Sequence, residues 1–375
     1  MDRKAVASQL AESAICDIEW SWAGSGDDAE MRRLMRDVPM AGSVRVGFAR
    51  EPSYMAGTNL AGTVDRTLVG KIAGRVVIAG ACSRRRVWRG DRIVQVGDFN
   101  GLRAMPGTAR SLRYLRQGFE QWIDEERSDP AELYFTSVAS GNTRARRVLE
   151  SGKLGLPRYE EIGALETRVL PVGKCGLRDD RNVLFDEDEV SDFLNRQARR
   201  YHFGITWNCE RWSELAAQGF QASDVKILRK NGAIVGVAGL WDQRGFRQTI
   251  IHGYGNSFRL MRPMLNLGLS CLGRAGIPPA GSVLKQAAIF PFAIEESAAS
   301  MIDELWRKLS READRKGIEW LTIGFDRRDP MLKKWVKPLG AQSYFTTLYS
   351  VRLSEDWIDR SEWGERCFRP EVALL

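Results

Sequence analysis

Between Val94 and Leu112 the chain reads VQVGDFNGLRAMPGTARSL, a β-rich run that enters Pro106-Gly107 and gives way to a helical pattern a few residues later. Small residues at such a junction let the backbone approach a ligand closely, and the free N–H groups and dipole of a helix start favour phosphate. Arg110, Arg113 and Arg116 add positive charge near that start. The same residues also fit a plain tight β–α turn with a solvated arginine face. After the next strand candidate comes Asn142-Thr-Arg-Ala145, where Asn142 can cap a helix whose inner face carries Ala145, Val148 and Leu149. Ser83 to Arg92 holds five arginines around Trp88, a patch that suits nucleic acid, a phosphate group or a solvated hairpin turning at Gly90-Asp91.

The inventory narrows the chemistry. Only two histidines are present, His202 and His252, so a multi-histidine metal centre is excluded and a Ser-His-Asp triad is disfavoured. Six cysteines are scattered without a CxxC pair, which fits reduced cytosolic thiols rather than a disulfide framework or zinc site. A formal charge of +8 suits an anionic small ligand at least as well as nucleic acid. No apolar run approaches the ~20 residues of a membrane helix, and the first residues show no secretory pattern, so a cytoplasmic protein is expected.

The elements that must position these residues come from 375 residues that are 43% hydrophobic and 28% charged, ordinary for a soluble chain of two or three domains. An internal repeat organises them. RTLVGKIAGRVVIAGA at 66–81 and DVKILRKNGAIVGVAG at 224–239 each read as strand, glycine turn, strand, with Gly74 and Gly232 158 residues apart. Helical patterns at 111–126 and 298–315 recur in the same order. Strands at 132–138 and 318–325 follow them, and final strands at 159–170 and 344–353 close each unit. The connecting segment 171–190 carries an acidic run at 186–189 that reads as a helix N-terminus. An insertion at 255–283 has a helical pattern at 261–272. Sheet polarity stays open at this level.

Taken together, the strand–hairpin core, Leu102-x-Ala104-x-Pro106 leading into a helix, and Asn142-x-x-Ala145 after the next strand resemble the GNAT superfamily of acyl-CoA-dependent N-acyltransferases. Residues 45–170 carry the likeness well, and 200–353 look like a more diverged copy. The resemblance implies an α/β (α+β) protein of two tandem GNAT-like domains, each a mixed, mostly antiparallel twisted sheet flanked by helices. Their ranges are 1–170, a linker and connecting helix at 171–200, and 201–375. It implies acetyl-CoA or another acyl-CoA as co-substrate, with no metal, lying between strands 93–104 and 132–138. Leu102 and Ala104 would meet the thioester, Gly107, Thr108, Ala109, Arg110, Ser111 and Leu112 the pyrophosphate, and Asn142 the pantetheine arm.

The implied reaction is direct attack by an amine, on a small molecule or a peptide. Asp98, which interrupts the apolar alternation of its strand, is the candidate base. Leu149 stands where many members place a proton-donating tyrosine, so Tyr134 is the candidate donor. The corresponding loop of the second unit, 290–300, has no glycine and presents Glu295 and Glu296 where phosphates belong, at a cost of about 1 kcal/mol each. That unit is expected to complete the acceptor pocket or brace the first. Two other readings stay open: a catalytically silent binding or scaffold protein, and a transferase using an aminoacyl-tRNA donor. No membrane partner is expected.

Overall fold

The computed structural model describes residues 18–39, 44–57, 64–106, 108, 111–152, 155–173, 185–271, 273, 276–331, 341–353 and 363–375. The first half runs β1 (Glu19–Trp22), α1 (Asp28–Asp37), β2 (Val44–Ala49), β3 (Val64–Ile72), β4 (Arg75–Arg89), β5 (Arg92–Ala104), α2 (Ser111–Glu126), β6 (Leu133–Ala139), α3 (Thr143–Glu150) and β7 (Arg158–Pro171). The second half runs α4 (Glu187–Ala198), β8 (His202–Ile205), α5 (Cys209–Ala217), β9 (Val225–Lys230), β10 (Ala233–Trp241), β11 (Gln248–Tyr254), α6 (Asn256–Cys271), β12 (Gln286–Ile294), α7 (Ile302–Arg315), β13 (Trp320–Asp326) and β14 (Gln342–Arg352).

The repeated glycines do the same work in both halves. Ala73-Gly74 and Asn231-Gly232 take positive φ at both positions, 49° and 74°, 53° and 85°. This is the hairpin turn whose twist matches the flanking strands. It joins β3 to β4 and β9 to β10. Helix α7 buries Ile302, Leu305, Leu309 and Ala313, a three-to-four spacing that lays one stripe on the sheet. Asp186 caps α4 by accepting the Glu189 N–H at 3.0 Å, which accounts for the acidic run.

A twelve-stranded sheet has the order β1-β3-β4-β5-β6-β14-β7-β13-β12-β10-β9, with β8 alongside β4, and β2 pairs with β11 in a separate ribbon. Among these pairs only β5–β6 and β12–β13 run parallel. The closing strands differ from the sequence expectation that each completes its own unit. β14 lies between β6 and β7, and β7 pairs with β13, so the halves exchange their final strands at the sheet centre. The exchange gives both edges of each central strand a partner and leaves no bare edge there.

One face of β5 and β6 packs under α2, where Phe99 and Tyr134 meet Phe119 and Trp122. The opposite face turns Val94, Val96 and Phe135 into a larger core with Phe203, Trp241 and Phe290 of the second half.

Candidate functional site

The parallel pair β5–β6 holds together over only four positions, Val96 with Leu133 through Phe99 with Thr136. Beyond them β5 runs on to Ala104 and β6 to Ala139, while the far edge of β6 is taken by β14. A wedge therefore opens at the carboxyl ends of two parallel strands, where α2 and α3 both begin. That is the usual position of ligand crevices in open α/β sheets.

Gly101 shapes the β5 side of this wedge. Its φ is +64°, and the ladder with β4 slips there, so that Asn100 opposes Ala81 while Arg103 opposes Ala79. This is a β-bulge, which re-aims the residues beyond it. Directly opposed residues share a face, and Ala79 and Ala81 are two apart. Asp98, Asn100 and Arg103 therefore all project from the face away from α2; without the extra residue Arg103 would point the other way. The Met105 N–H donates to Val77 O at 2.8 Å, so by the alternation of an antiparallel ladder the amides of Leu102 and Ala104 point away from β4 and toward the wedge. Leu102 and Leu112 are both exposed beside it.

The polar row on that face is buried. Arg85 Nη2 donates to Asp98 Oδ2 at 2.9 Å, and both side chains are essentially without solvent contact. Asp98 Oδ1 and Arg85 Nε and Nη1 have no partner among the described residues. Burial pushes the Asp98 carboxyl up to about 6 against the opposing pull of Arg85 and Arg247. Asn100 Nδ2 donates to Ser83 Oγ at 2.8 Å and extends the row.

Three side chains from distant sequence complete the surroundings. The Tyr54 hydroxyl lies 3.6 Å from where a side chain on Gly101 would begin. Arg50 stands over the Tyr54 ring at 5.5 Å. Arg247 lies one position beyond the last ladder pair of β2 and β11, Ala49 with Gln248, which sets it across from Arg50.

The remaining candidates fall as follows. The Tyr134 ring lies on the α2 side, its hydroxyl donating to Glu126 and accepting the Ala131 N–H at 2.8 Å; burial and then Glu126 raise its pKa. It sits opposite Gly97 in the paired part of the strands, as Asp98 does opposite Phe135, but on the other face of the sheet. Asn142 Oδ1 caps α3 by accepting the Ala145 N–H at 3.2 Å and is exposed. The Thr108 N–H and hydroxyl both turn back to Met105 O, at 3.3 and 2.8 Å. Ser111 opens α2, and Gly107, Ala109 and Arg110 lie outside the described residues. The arginine patch is largely spent internally: Arg84 binds Glu126 and Asp129, Arg85 binds Asp98, and Arg92 reaches Glu132.

The second half repeats the divergence. β12 and β13 pair only from Gln286 with Trp320 to Ala288 with Thr322. Here the segment 363–375 lies against both strands. Arg369 Nη2 donates to Phe292 O at 2.8 Å, the Phe368 N–H donates to Asp326 Oδ2 at 2.9 Å, and Val372 presses on Gly324. Glu296 is ion-paired to Arg200. Among the described residues no group of His, Cys, Asp and Glu is arranged to hold a metal ion, and no helix is long and apolar enough to cross a membrane.

No protein-family model matches the sequence, and no curated protein matches it. Solved structures do align. The Saccharomyces cerevisiae N-myristoyltransferase with bound myristoyl-CoA superposes with a TM-score of 0.53 at 10% identity, over 88% of this chain and 82% of that one. A GCN5-related glucosamine N-acetyltransferase region of a fungal multi-domain GH3 β-N-acetylglucosaminidase gives 0.53 at 9% identity, over 90% of this chain and 38% of that one. At these identities the likeness concerns the fold alone, and the fold is GNAT-like.

Proposed function

We propose that this chain is an N-acyltransferase that moves an acyl group from acyl-CoA to an amine, with the donor in the β5–β6 wedge. The observation that carries the reading is the combination of an open wedge with the wedge-facing amides of Leu102 and Ala104 beside the Gly101 bulge. Two N–H groups so directed can take up charge developing on a thioester oxygen, the kind of stabilisation that lowers acyl-transfer barriers most. The start of α2 at Ser111 supplies the helix dipole for the pyrophosphate, and Asn142 borders the same edge as the neighbour of the pantetheine arm.

In this reading the amine approaches from the face that carries Asp98. Its nitrogen bonds to the acyl carbon, the carbon–sulfur bond breaks, and one nitrogen proton passes to Asp98 Oδ1, directly or through water. A carboxyl poised near pH 6 is a stronger acceptor than an ordinary aspartate and still ionised at neutral pH. Tyr54, whose hydroxyl lies beside Gly101, is better placed than Tyr134 to protonate the leaving thiolate, because the Tyr134 hydroxyl is held by Glu126. We assign residues 1–170 to the donor-binding unit, 171–200 to the connection, and 201–375 to a degenerate second copy whose own wedge is covered. The internally bonded Thr108 amide favours a competing reading, a silent scaffold that kept the fold.

Acetyl-CoA at 100 times its Kd is expected to stabilise the protein by about 2.7 kcal/mol, read as a rise in melting temperature. Asn142→Ala should reduce that rise, and an amine should release free CoA thiol. No shift and no thiol release would leave the scaffold reading standing.

A further inference from the structure

Around the Gly101 bulge, positive charge exceeds what the protein itself neutralises. Arg103 projects on the Asp98 face and, among the described residues, donates only to the carbonyl of its own neighbour Leu102, at 2.8 Å. Arg50 is half-buried over Tyr54 and has no carboxylate partner among the described residues. Arg247 stands across the ribbon from Arg50 and donates to main-chain oxygens, Ala373 O at 3.2 Å and Leu375 O. The carboxylates of this region are engaged elsewhere: Asp98 by Arg85, Glu51 by Arg32 and Arg36, and Glu371 by Arg369. Burial and then the charge of Arg50 lower the proton affinity of Arg247, and burial together with the same neighbour acts on Arg103. Arg50 thus crowds both Arg103 and Arg247, and with Arg50 and Arg103 lacking an acid among the described residues the cluster forms a site that an anion would relieve.

We propose that Arg50, Arg103 and Arg247 form an anion subsite for the acceptor, so that the amine this protein acylates carries a carboxylate or a phosphate close to its nitrogen. The proposal rests on the acyl-transfer reading for the role of the ligand. Position separates this anion from the phosphates of the donor. The bulge turns Arg103 onto the face away from α2, whereas the pyrophosphate belongs at the start of that helix on the wedge edge. The subsite shares its face with Asp98, the group assigned to receive the proton. An anion held there sets its amine between that carboxylate and the thioester, and guanidinium forks suit both carboxylate and phosphate geometry.

The test compares matched amines with acetyl-CoA as donor, reading thiol release: β-alanine against β-alanine amide, and phosphoethanolamine against ethanolamine. Each anionic member is expected to exceed its neutral twin by about 10- to 100-fold in kcat/KM, the size of effect a desolvated charge pair gives. Whichever pair shows the larger ratio identifies carboxylate or phosphate as the natural group. In Arg50→Gln/Arg103→Gln the ratio should fall toward one while KM for acetyl-CoA stays within about twofold, and Arg103→Lys, which keeps the charge, should retain part of it. Neutral twins used as well as anionic ones in the wild type overturn the proposal, whether or not the variants fold. So does a double variant that keeps the amine preference, or one that weakens only acetyl-CoA. If acetyl-CoA neither shifts the melting temperature nor yields thiol with any amine, the acyl-transfer reading falls. Melting then judges the anion site separately: phosphoethanolamine, but not ethanolamine, must protect the wild type and not the double variant.

Discussion

The two parallel strand pairs of this molecule have the same topology and opposite fates. β5 and β6 diverge after four positions and leave an edge with wedge-facing amides, whereas β12 and β13 diverge after three and are covered by residues 363–375. A splayed pair is thus only an opportunity. What it becomes is decided by side chains that lie far from it in sequence. In the second half Gly324 accommodates Val372, and Arg369 sits over the rings of Phe292 and Phe325 at 5.4 and 5.7 Å, so the gap is closed by a well-packed internal ligand. In the first half a bulge at Gly101 and the buried Arg85 and Asp98 leave polar atoms that have no partner among the described residues.

Three substitutions separate those roles. The largest effect is expected from Arg369→Ala, which removes the buried cation facing Glu371 and should cost about 3–5 kcal/mol in denaturant unfolding. Because the change lies in the covered wedge, the acetyl-CoA-induced shift of the remaining folded protein should persist; its loss would break the division of labour. Next comes Asp98→Asn, with turnover falling about 10²–10³-fold and the acetyl-CoA shift intact. Activity that needs the ionised carboxylate rises with pH through about 6, and this acidic limb should disappear in the variant. The raised carboxyl also means that the native state binds the extra proton more tightly than the unfolded chain. Its contribution to stability is therefore present below the ordinary aspartate range and lost as pH rises through about 6, a slope that Asp98→Asn should flatten. The smallest effect belongs to Gly324→Ala. A new methyl would fall 2.0 Å from Val372 Cγ2, an overpacking that costs about 1–3 kcal/mol, and Val372→Ala in the same chain should recover most of it.

Much of the frame could be read from the chain. Gly74 and Gly232 marked two hairpins, and the spacing of Leu112, Leu115, Phe119 and Trp122 marked the helix that runs from Ser111 to Glu126. Asp98 stood out as a charge within an apolar alternation. Its complete burial and its pairing with Arg85 did not, because cross-strand neighbours thirteen residues apart depend on a register that periodicity leaves undetermined. Gly101 carries a signal of its own: a lone glycine inside a strand pattern points to a bulge, and the bulge is what turns Arg103 onto the face of Asp98. Arg50, Tyr54 and Arg247 carried no such signal. They reach the site only because β2 and β11, about two hundred residues apart, form a ribbon over it. The exchange of β7 and β14 was equally hidden, since both candidate partners of each strand offered the same alternation.

That exchange has a consequence for how the molecule can be made. Ser350 of β14 is laddered to Phe135 of β6, 215 residues earlier. A nascent chain that has just released β7 from the ribosome still has β6 and β7 flanking an empty slot, each with a row of unanswered main-chain groups that could template association with another chain. The first half therefore cannot finish its ladder until β14 has been synthesised, and an expression product stopped after Pro171 should be recovered as aggregate rather than as a small folded unit.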